Sequence, residues 1–340
     1  MKKILLTFAF FVMAICVNAQ TNQYFWYQGN LMMGNPIAQI DSVTFGEGEP
    51  VDTLHIMLPR TIIKTVEVHD TIEVTIHDTL YLNKYVCLPE GAIPGEFSVS
   101  PTKKVFFSNG NLQYRASTDT WRFAEHQYDT IGAANQNASP TYSGWIDLFG
   151  WGTGTNPTNT SEDNSQYATF SEWGANAISN GGNTTNLWRT LSSDEWKYIL
   201  HDRPNAEELL GFGTIGGIHG LIILPDDCNF EQISFTPSVD RGLVWFAPDS
   251  AYNNNKDNFT HNTYTVEEWN SLETLGAVFL PTAGSRYGTT IYDVIHQGSY
   301  WTTERAFRMR LHSNFLYVKS GQSPYRGQSV RLVQDVNKEE

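Results

Sequence analysis

The residues whose types could do chemistry fall into a few small groups, and spacing rules against most of them. Gly211-x-Gly213-x-x-Gly216 matches a dinucleotide fingerprint. That fingerprint works only where a strand feeds into it and a helix N-terminus leaves it to face a pyrophosphate. Here the short helical piece Asn205–Leu210 comes before it, and the aliphatic run Leu221–Leu224, stopped by Pro225, comes after it. The order is reversed, so the stretch reads as a tight hairpin with Gly216-Gly217 at its turn. His69-Asp70 and His77-Asp78 suggest a metal site. Eight residues of extended chain at ~3.3 Å each put the two imidazoles about 26 Å apart, so one chain cannot bring both to one ion. They read as a polar stripe, with a metal bridging neighbouring chains as the alternative. Asp226-Asp227 follow Pro225. Calcium takes about six or more oxygens from several segments, so a turn that stops a strand accounts for this pair. No Gly-x-Ser-x-Gly elbow occurs, and no carboxylate pair is placed for glycoside hydrolysis. No set of catalytic roles assembles. The expectation is therefore a non-enzyme with no catalytic residue, metal or cofactor.

Binding chemistry remains. The segment 285–326 is dense in Tyr, Arg, His, Asn and Ser, a composition like that of binder loops. A chain of net charge −14 also turns locally basic there, with Arg286, Arg305, Arg308, Arg310, Lys319 and Arg326. Aromatic faces beside hydrogen-bonding side chains are what surface recognition uses. The ligand-binding candidates are Arg286, Tyr287, Tyr292, His296, Tyr300, Arg305, His312, Asn314 and Tyr325. The competing reading for about half of them is a core or solvated strand position. Trp301 is expected in the core.

The elements that must position these residues begin after a leader. Lys2 and Lys3 precede an apolar run from Ile4 to Val17, and Val17-Asn18-Ala19 suits cleavage after Ala19. The expectation is an exported protein: periplasmic, outer-surface or secreted. Ile15 stands before Cys16, where a lipoprotein signal has a small residue, which argues against lipidation. No later segment has about 18 consecutive apolar residues, so no membrane span is expected. The acidic balance argues against a nucleic-acid partner. Charged residues are 17% and aromatics 13%, with ten Trp, as in a loop-rich exported β protein.

A β module is expected over 20–58 and an extended β spacer over 59–88. From Thr61 to Leu82, Val66, Val68, Ile72, Val74, Ile76 and Leu80 share even positions, which is period two. This stretch could also mediate oligomerisation. Cys87 and Cys228 follow the leader, and both a bridge and two separate thiols stay open.

A compact domain is expected over 89–335, with a disordered tail at 336–340. "TKKVFFSNGNLQYRASTDTWRFA" reads as two or three strands separated by turns. The segment 135–186 is long, Gly/Asn-rich and irregular, with Trp145, Phe149, Trp151 and Trp173 embedded in it. Such a segment is either functional or packed by its own aromatics. Ser192 and Glu195 form a capping box before Trp196, Ile199 and Leu200. Thr265 and Glu268 repeat it before Trp269, Leu272 and Leu275, with Gly276 as the stop. Each Trp is expected to anchor its helix to a sheet.

The series "LWRTLSSDEWKYIL", "GLIILPDD", "YTVEEWNSLETLGAVFLPTAGSR", "GSYWTTE" and "RGQSVRLV" resembles a paralogous group of secreted proteins of gut-type Gram-negative bacteria. Their domain is similar to the C-type-lectin-like fold shared with formylglycine-generating enzymes. The resemblance covers roughly residues 90 to 335, and "IDSVTF" resembles a β module that often follows the leader in such proteins. It implies an α+β head with helices at Ser193 to about His201 and Val266 to Leu275. It also implies a central closing strand in "SVRLV", where Arg331 makes an ion pair or carbonyl contacts. The enzymes of that fold use a reactive cysteine pair, for which Cys228 alone is no counterpart. The calcium-binding Glu-Pro-Asn and Trp-Asn-Asp patterns are absent. In members that diversify their ligand face, the face comes from this C-terminal region.

Asp41-Ser42, Asp52-Thr53, Asp70-Thr71 and Asp78-Thr79, each followed by an aliphatic residue, resemble the acceptor of a bacterial O-glycosylation system. Ser42, Thr53, Thr71 and Thr79 are thus glycosylation candidates, although a low-complexity β repeat explains the same recurrence. The expected role is non-catalytic binding of a glycan or an extracellular or envelope protein. The alternatives are a structural or adhesive component of a surface assembly, or an oxidase-related enzyme.

Overall fold

The computed structural model describes residues 88–228, 234–237, 258–313 and 315–336, and four strands between residues 22 and 67. The chain divides into two compact units, Met1–Cys87 and Leu88–Glu340. In the first, β1 (Asn22–Tyr27) pairs antiparallel with β2 (Asn30–Pro36), and β3 (Thr53–Met57) with β4 (Ile63–Glu67). The second hairpin spans the expected module boundary at 58/59, so the period-two stretch begins as a hairpin arm that pairs back on the chain. Thr53 opens β3. Ser42, Thr71, Thr79, both His-Asp pairs and Cys87 lie outside the described residues.

The second unit is mixed α+β, with few helices and several short sheets. β5 (Phe97–Ser98), β6 (Lys104–Phe107), β7 (Leu112–Arg115) and β8 (Thr120–Phe123) come first. β7 and β8 form the hairpin expected from "NLQYR" and "TWRFA", turned at Asp119 in the left-handed region. After a long loop come β9 (Arg189–Thr190) and helix α1 (Ser193–Lys197). A π-helical turn, Tyr198–Asp202, completes the expected helix. β10 (Leu210–Ile215) and β11 (Ile218–Ile223) pair through Gly216 and Gly217, both at positive φ. The glycine motif is thus a hairpin, as its context required.

β12 (Thr263–Tyr264), α2 (Val266–Thr274) and β13 (Val278–Pro281) follow. Next come β14 (Ser285–Tyr287), β15 (Thr290–Tyr292) and β16 (Gln297–Trp301), then β17 (Phe307–His312), β18 (Phe315–Gly321) and β19 (Leu332–Asp335). The sheets run β12-β10-β11-β13, β16-β17-β18 and β5-β6-β19-β9, with hairpins β7-β8 and β14-β15.

Both capping boxes are formed. Ser192 and Thr265 accept from the Glu195 and Glu268 amides, and each glutamate reaches back to its cap amide. A polar N-cap of this kind is worth about 1 kcal/mol. Trp196 and Trp269 are fully buried and anchor the two helices, as expected. Gly276 ends α2 at φ +93°. β19 lies centrally, between β6 and β9. Arg331, just before it, is buried and makes a carbonyl contact of the expected kind, though to a side chain: its Nη2 donates to the amide oxygen of Gln127 at 2.5 Å.

The irregular segment is packed by its own aromatics. Trp121, Phe149, Trp151, Trp173, Trp188 and Trp301 share one buried cluster with Leu112, Ile146 and Leu332. Burying each large ring brings a loop with few backbone ladders to the rigidity of a core. Gly174 sits where this packing is tightest. A Cβ there would lie 1.9 Å from the Trp188 carbonyl oxygen. Because the obstacle is backbone, Gly174→Ala is expected to destabilise by at least the roughly 1–3 kcal/mol typical of overpacking. A urea titration checks this through a lower midpoint at unchanged slope.

Candidate functional site

The nine candidates separate by burial. Arg286 and Tyr300 belong to the interior. Arg286 is fully buried, and its guanidinium donates to the carbonyls of Leu148, Gly288 and Asn159 at 2.6–3.3 Å. It fastens the β14–β15 hairpin to the irregular segment. Tyr300 faces the main core and donates its hydroxyl to Pro281 O at 2.8 Å. Both are corrections, and the cause is packing on both faces of their strands: all five residues of β16 are buried, as are Ser285 and Arg286 of β14, so no outward position was left for either side chain. Trp301 is buried, as expected, with its indole N–H on Phe149 O.

Arg305 is exposed but occupied. It donates to Tyr167 O and Asn164 O, each at 3.1 Å, and holds a short 3-10 turn. His312 stacks on Phe315 with ring centroids 5.0 Å apart. His296 is exposed at the end of the turn after β15. Asn314 lies outside the described residues.

Tyr287, Tyr292 and Tyr325 come together around a residue not among the candidates. Tyr287 and Tyr325 meet edge to face at 5.4 Å. The Arg326 guanidinium lies 4.3 Å from the Tyr287 ring centroid and 5.9 Å from that of Tyr292. Tyr292 is 45% exposed, one of the most exposed large rings among the described residues.

Beside this platform the β16–β17 pairing sets Ser299 opposite Arg310 and Trp301 opposite Arg308. Facing residues of an antiparallel pair share a face, so Arg308 and Arg310 project together, while Met309 and Leu311 turn to the core. Arg308 is 5% exposed. Its Nη1 donates to Ser299 Oγ at 3.1 Å and to Gln328 Oε1 at 3.3 Å, and its Nε has no hydrogen-bond partner among the described residues. Burial lowers its basicity to about 9, with the charges of Arg310 and Arg326 adding to the effect. The Nε of Arg310 donates to Gln297 Oε1 at 2.7 Å, and its guanidinium lies 4.7 Å from the Phe315 centroid. Sequence reasoning counted Arg308, Arg310 and Arg326 in a basic segment but not among the candidates. The available signal was the alternation of Arg308 and Arg310 with core residues.

A concavity of about 270 Å³ opens in the irregular segment between Thr153, Asn156, Ser165, Gln166 and Ser171. Its lining is amide and hydroxyl, suited to neutral polar ligands.

Two other leads are structural. Asp226 pairs with Arg203 at 3.1 Å and Lys104 at 3.2 Å, and accepts from Ser98 N and Oγ. Those bonds leave it an internal tie between β5 and the strand end. Cys228 is a free thiol, pushed up to about 11 by burial and then by Asp227. At that value it is largely protonated near neutral pH and a poor nucleophile. Among the described residues no group of three or more His, Cys, Asp or Glu could hold a metal ion. Nor, among them, is any helix long and apolar enough to cross a membrane.

Behind the tyrosine platform the irregular segment is clamped by Asp147 and Asn135. Asn135 Nδ2 donates to Asp147 Oδ1 at 2.7 Å, Asn135 Oδ1 accepts from Asp147 N and Leu148 N, and Ile131 N donates to Asp147 Oδ2 at 2.9 Å. Burial raises the Asp147 carboxyl to about 6, and these bonds offset only part of that effect. The folded state therefore holds this proton more tightly than the unfolded chain, whose carboxyl keeps the ordinary value of 3.8. The stabilisation is complete below pH ~4 and is lost as pH rises to about 6. A shift of this size corresponds to about 3 kcal/mol. Asp147→Asn is expected to flatten that descending limb, measured as unfolding free energy between pH 4 and 6.

Comparison of the chain with protein-family models, with curated proteins and with solved structures finds no match.

Proposed function

We propose that this chain is an exported, non-catalytic binding protein whose C-type-lectin-like head recognises a glycan or an extracellular or envelope protein through its C-terminal third. One observation carries this reading: Tyr287, Tyr292 and Tyr325 gather around the Arg326 guanidinium on one face, with Tyr292 standing out at 45% exposure. Tyrosine rings offer a large stacking surface with a polar tip and little rotamer entropy to lose, and arginine adds directed donors. The platform is also backed by rigid structure. Arg286 ties β14 to three carbonyls, and Arg286 and Gly327 exchange backbone hydrogen bonds at 2.8 and 2.9 Å. A pre-ordered face loses less entropy on binding.

The polar concavity of residues 152–171 supports a second location for the same function. Its hydroxyls and amides match the hydroxyls of a neutral sugar, and the Arg305 bonds to Asn164 O and Tyr167 O fix its wall.

The test is a screen of the full chain against a glycan array and a panel of envelope proteins. The same chain carrying Tyr292→Ala and Tyr325→Ala is the control. Truncating two anchors at the centre of a face is expected to weaken the hit by about tenfold or more, with the melting temperature unchanged. A hit that ignores these changes but is lost in Asn156→Ala with Gln166→Ala moves the site to the concavity. The absence of any hit counts against binding as the function.

A further inference from the structure

We propose that Arg308, Arg310 and Arg326 form an anion subsite, which takes the carboxylate or sulfate of an acidic saccharide. The inference rests on the reading of the C-terminal face as the recognition surface, and it names the ligand class.

Buried guanidinium groups need acceptors, because an uncompensated charge in the interior is expensive. Arg203 has the Asp226 carboxylate and Leu224 O. Arg286 has three carbonyls. Arg331 has the Gln127 side-chain oxygen, and the Glu273 charge favours it. Arg308 differs from all three in its neighbours: beyond two neutral oxygens, on Ser299 and Gln328, the largest charges acting on it are those of Arg310 and Arg326, and its Nε has no partner among the described residues. Among the described residues no carboxylate lies in ion-pair range of it, whereas Arg310 and Arg326 sit close enough for their charges to act on it. Asp293 is the one acid whose charge reaches it. Arg326 itself makes ring contacts and no ion pair among the described residues.

Three like charges on one face of a chain of net charge −14 repel one another unless an anion joins them. Guanidinium groups match a carboxylate or sulfate with two parallel N–H···O bonds, which a lone lysine cannot offer. The neighbours decide between a bare ion and a saccharide. Tyr287 and Tyr292 flank Arg326, and Gln328 Nε2, buried beside Arg308, has no partner among the described residues. Ring faces and amide donors around a cationic floor suit a sugar ring that bears one anionic group.

The experiment is calorimetric titration of the full chain with three probes of similar length. These are a uronic-acid oligosaccharide, a sulfated oligosaccharide and a neutral oligosaccharide. The acidic probes are expected to bind, and the one bound more tightly identifies the anionic group. Raising salt should weaken binding, since the contact is charged. Arg326→Ala, at a half-buried position, is expected to weaken the acidic probe by about tenfold or more, and Arg308→Met by about a hundredfold. Arg308→Met should also melt at or above the wild-type temperature, because a packed apolar chain replaces an unbalanced buried charge. If Arg308→Met does not fold, Arg326→Ala and Arg310→Gln decide alone. Equal binding of acidic and neutral probes, or affinities indifferent to these substitutions, would overturn the anion subsite while leaving the recognition face standing. Failure of both acidic probes would also overturn it, and the array result then judges the face separately.

Discussion

The structure of the second unit depends on one stretch of backbone, residues 327–335. Gly327 exchanges hydrogen bonds with Arg286, and Gln328 with Phe149. Ser329 N donates to Ser299 O, and Trp301 N to Ser329 O. Val330 O then accepts from Leu112 N, and Leu332 O from Ser108 N, before β19 pairs with β6 and β9. The C-terminal segment thus closes the β14–β15 hairpin, the irregular segment, the β16–β17–β18 sheet and the N-terminal strands onto each other. Few of these contacts are local in sequence. Each sheet is short, and short sheets with many edges are marginal alone. A strand that joins them at the end of the chain supplies the pairing that they lack.

The same segment places the tyrosine and arginine face. Arg326 stands just before it and Gln328 within it, so strand closure and assembly of the tyrosine and arginine face are one event. This explains why Arg286 serves structure and Arg326 serves the surface although both lie in one basic run. Arg286 is consumed by the carbonyls that anchor the hairpin, while Arg326 lies over the Tyr287 and Tyr292 rings and makes no ion pair among the described residues.

The buried arginines show how a low-charge, aromatic-rich chain uses its cations. Arg203 holds a strand end through Asp226, and Arg331 reaches a side-chain amide held by β13 and α2, because Gln127 also accepts from Phe279 N and donates to Glu273. Each guanidinium ties its own segment to another distant in sequence. Arg308 stands apart because the largest charges acting on it are those of two cations, Arg310 and Arg326.

Several features were decided by the sequence itself, because their physics is local. The capping boxes at Ser192/Glu195 and Thr265/Glu268 need only three residues of spacing. The Gly216-Gly217 turn needs two residues that tolerate positive φ, and the β7–β8 hairpin needs alternation and a turn. Burial of Trp196, Trp269 and Trp301 followed from size and apolarity. Tertiary structure decided the rest, because the interactions join residues far apart in the chain. Arg286 and Tyr300 became interior because both faces of their strands are covered, which no local pattern reveals. The clamp of Asn135 on Asp147 has no sequence signature, being two polar residues that meet only when the irregular segment folds on its aromatics. The convergence of Arg308, Arg310 and Arg326 needs both the register of β17 on β16 and the closing course of residues 327–335. Composition could mark that region as basic and aromatic, but only long-range pairing sets which of its side chains share a face.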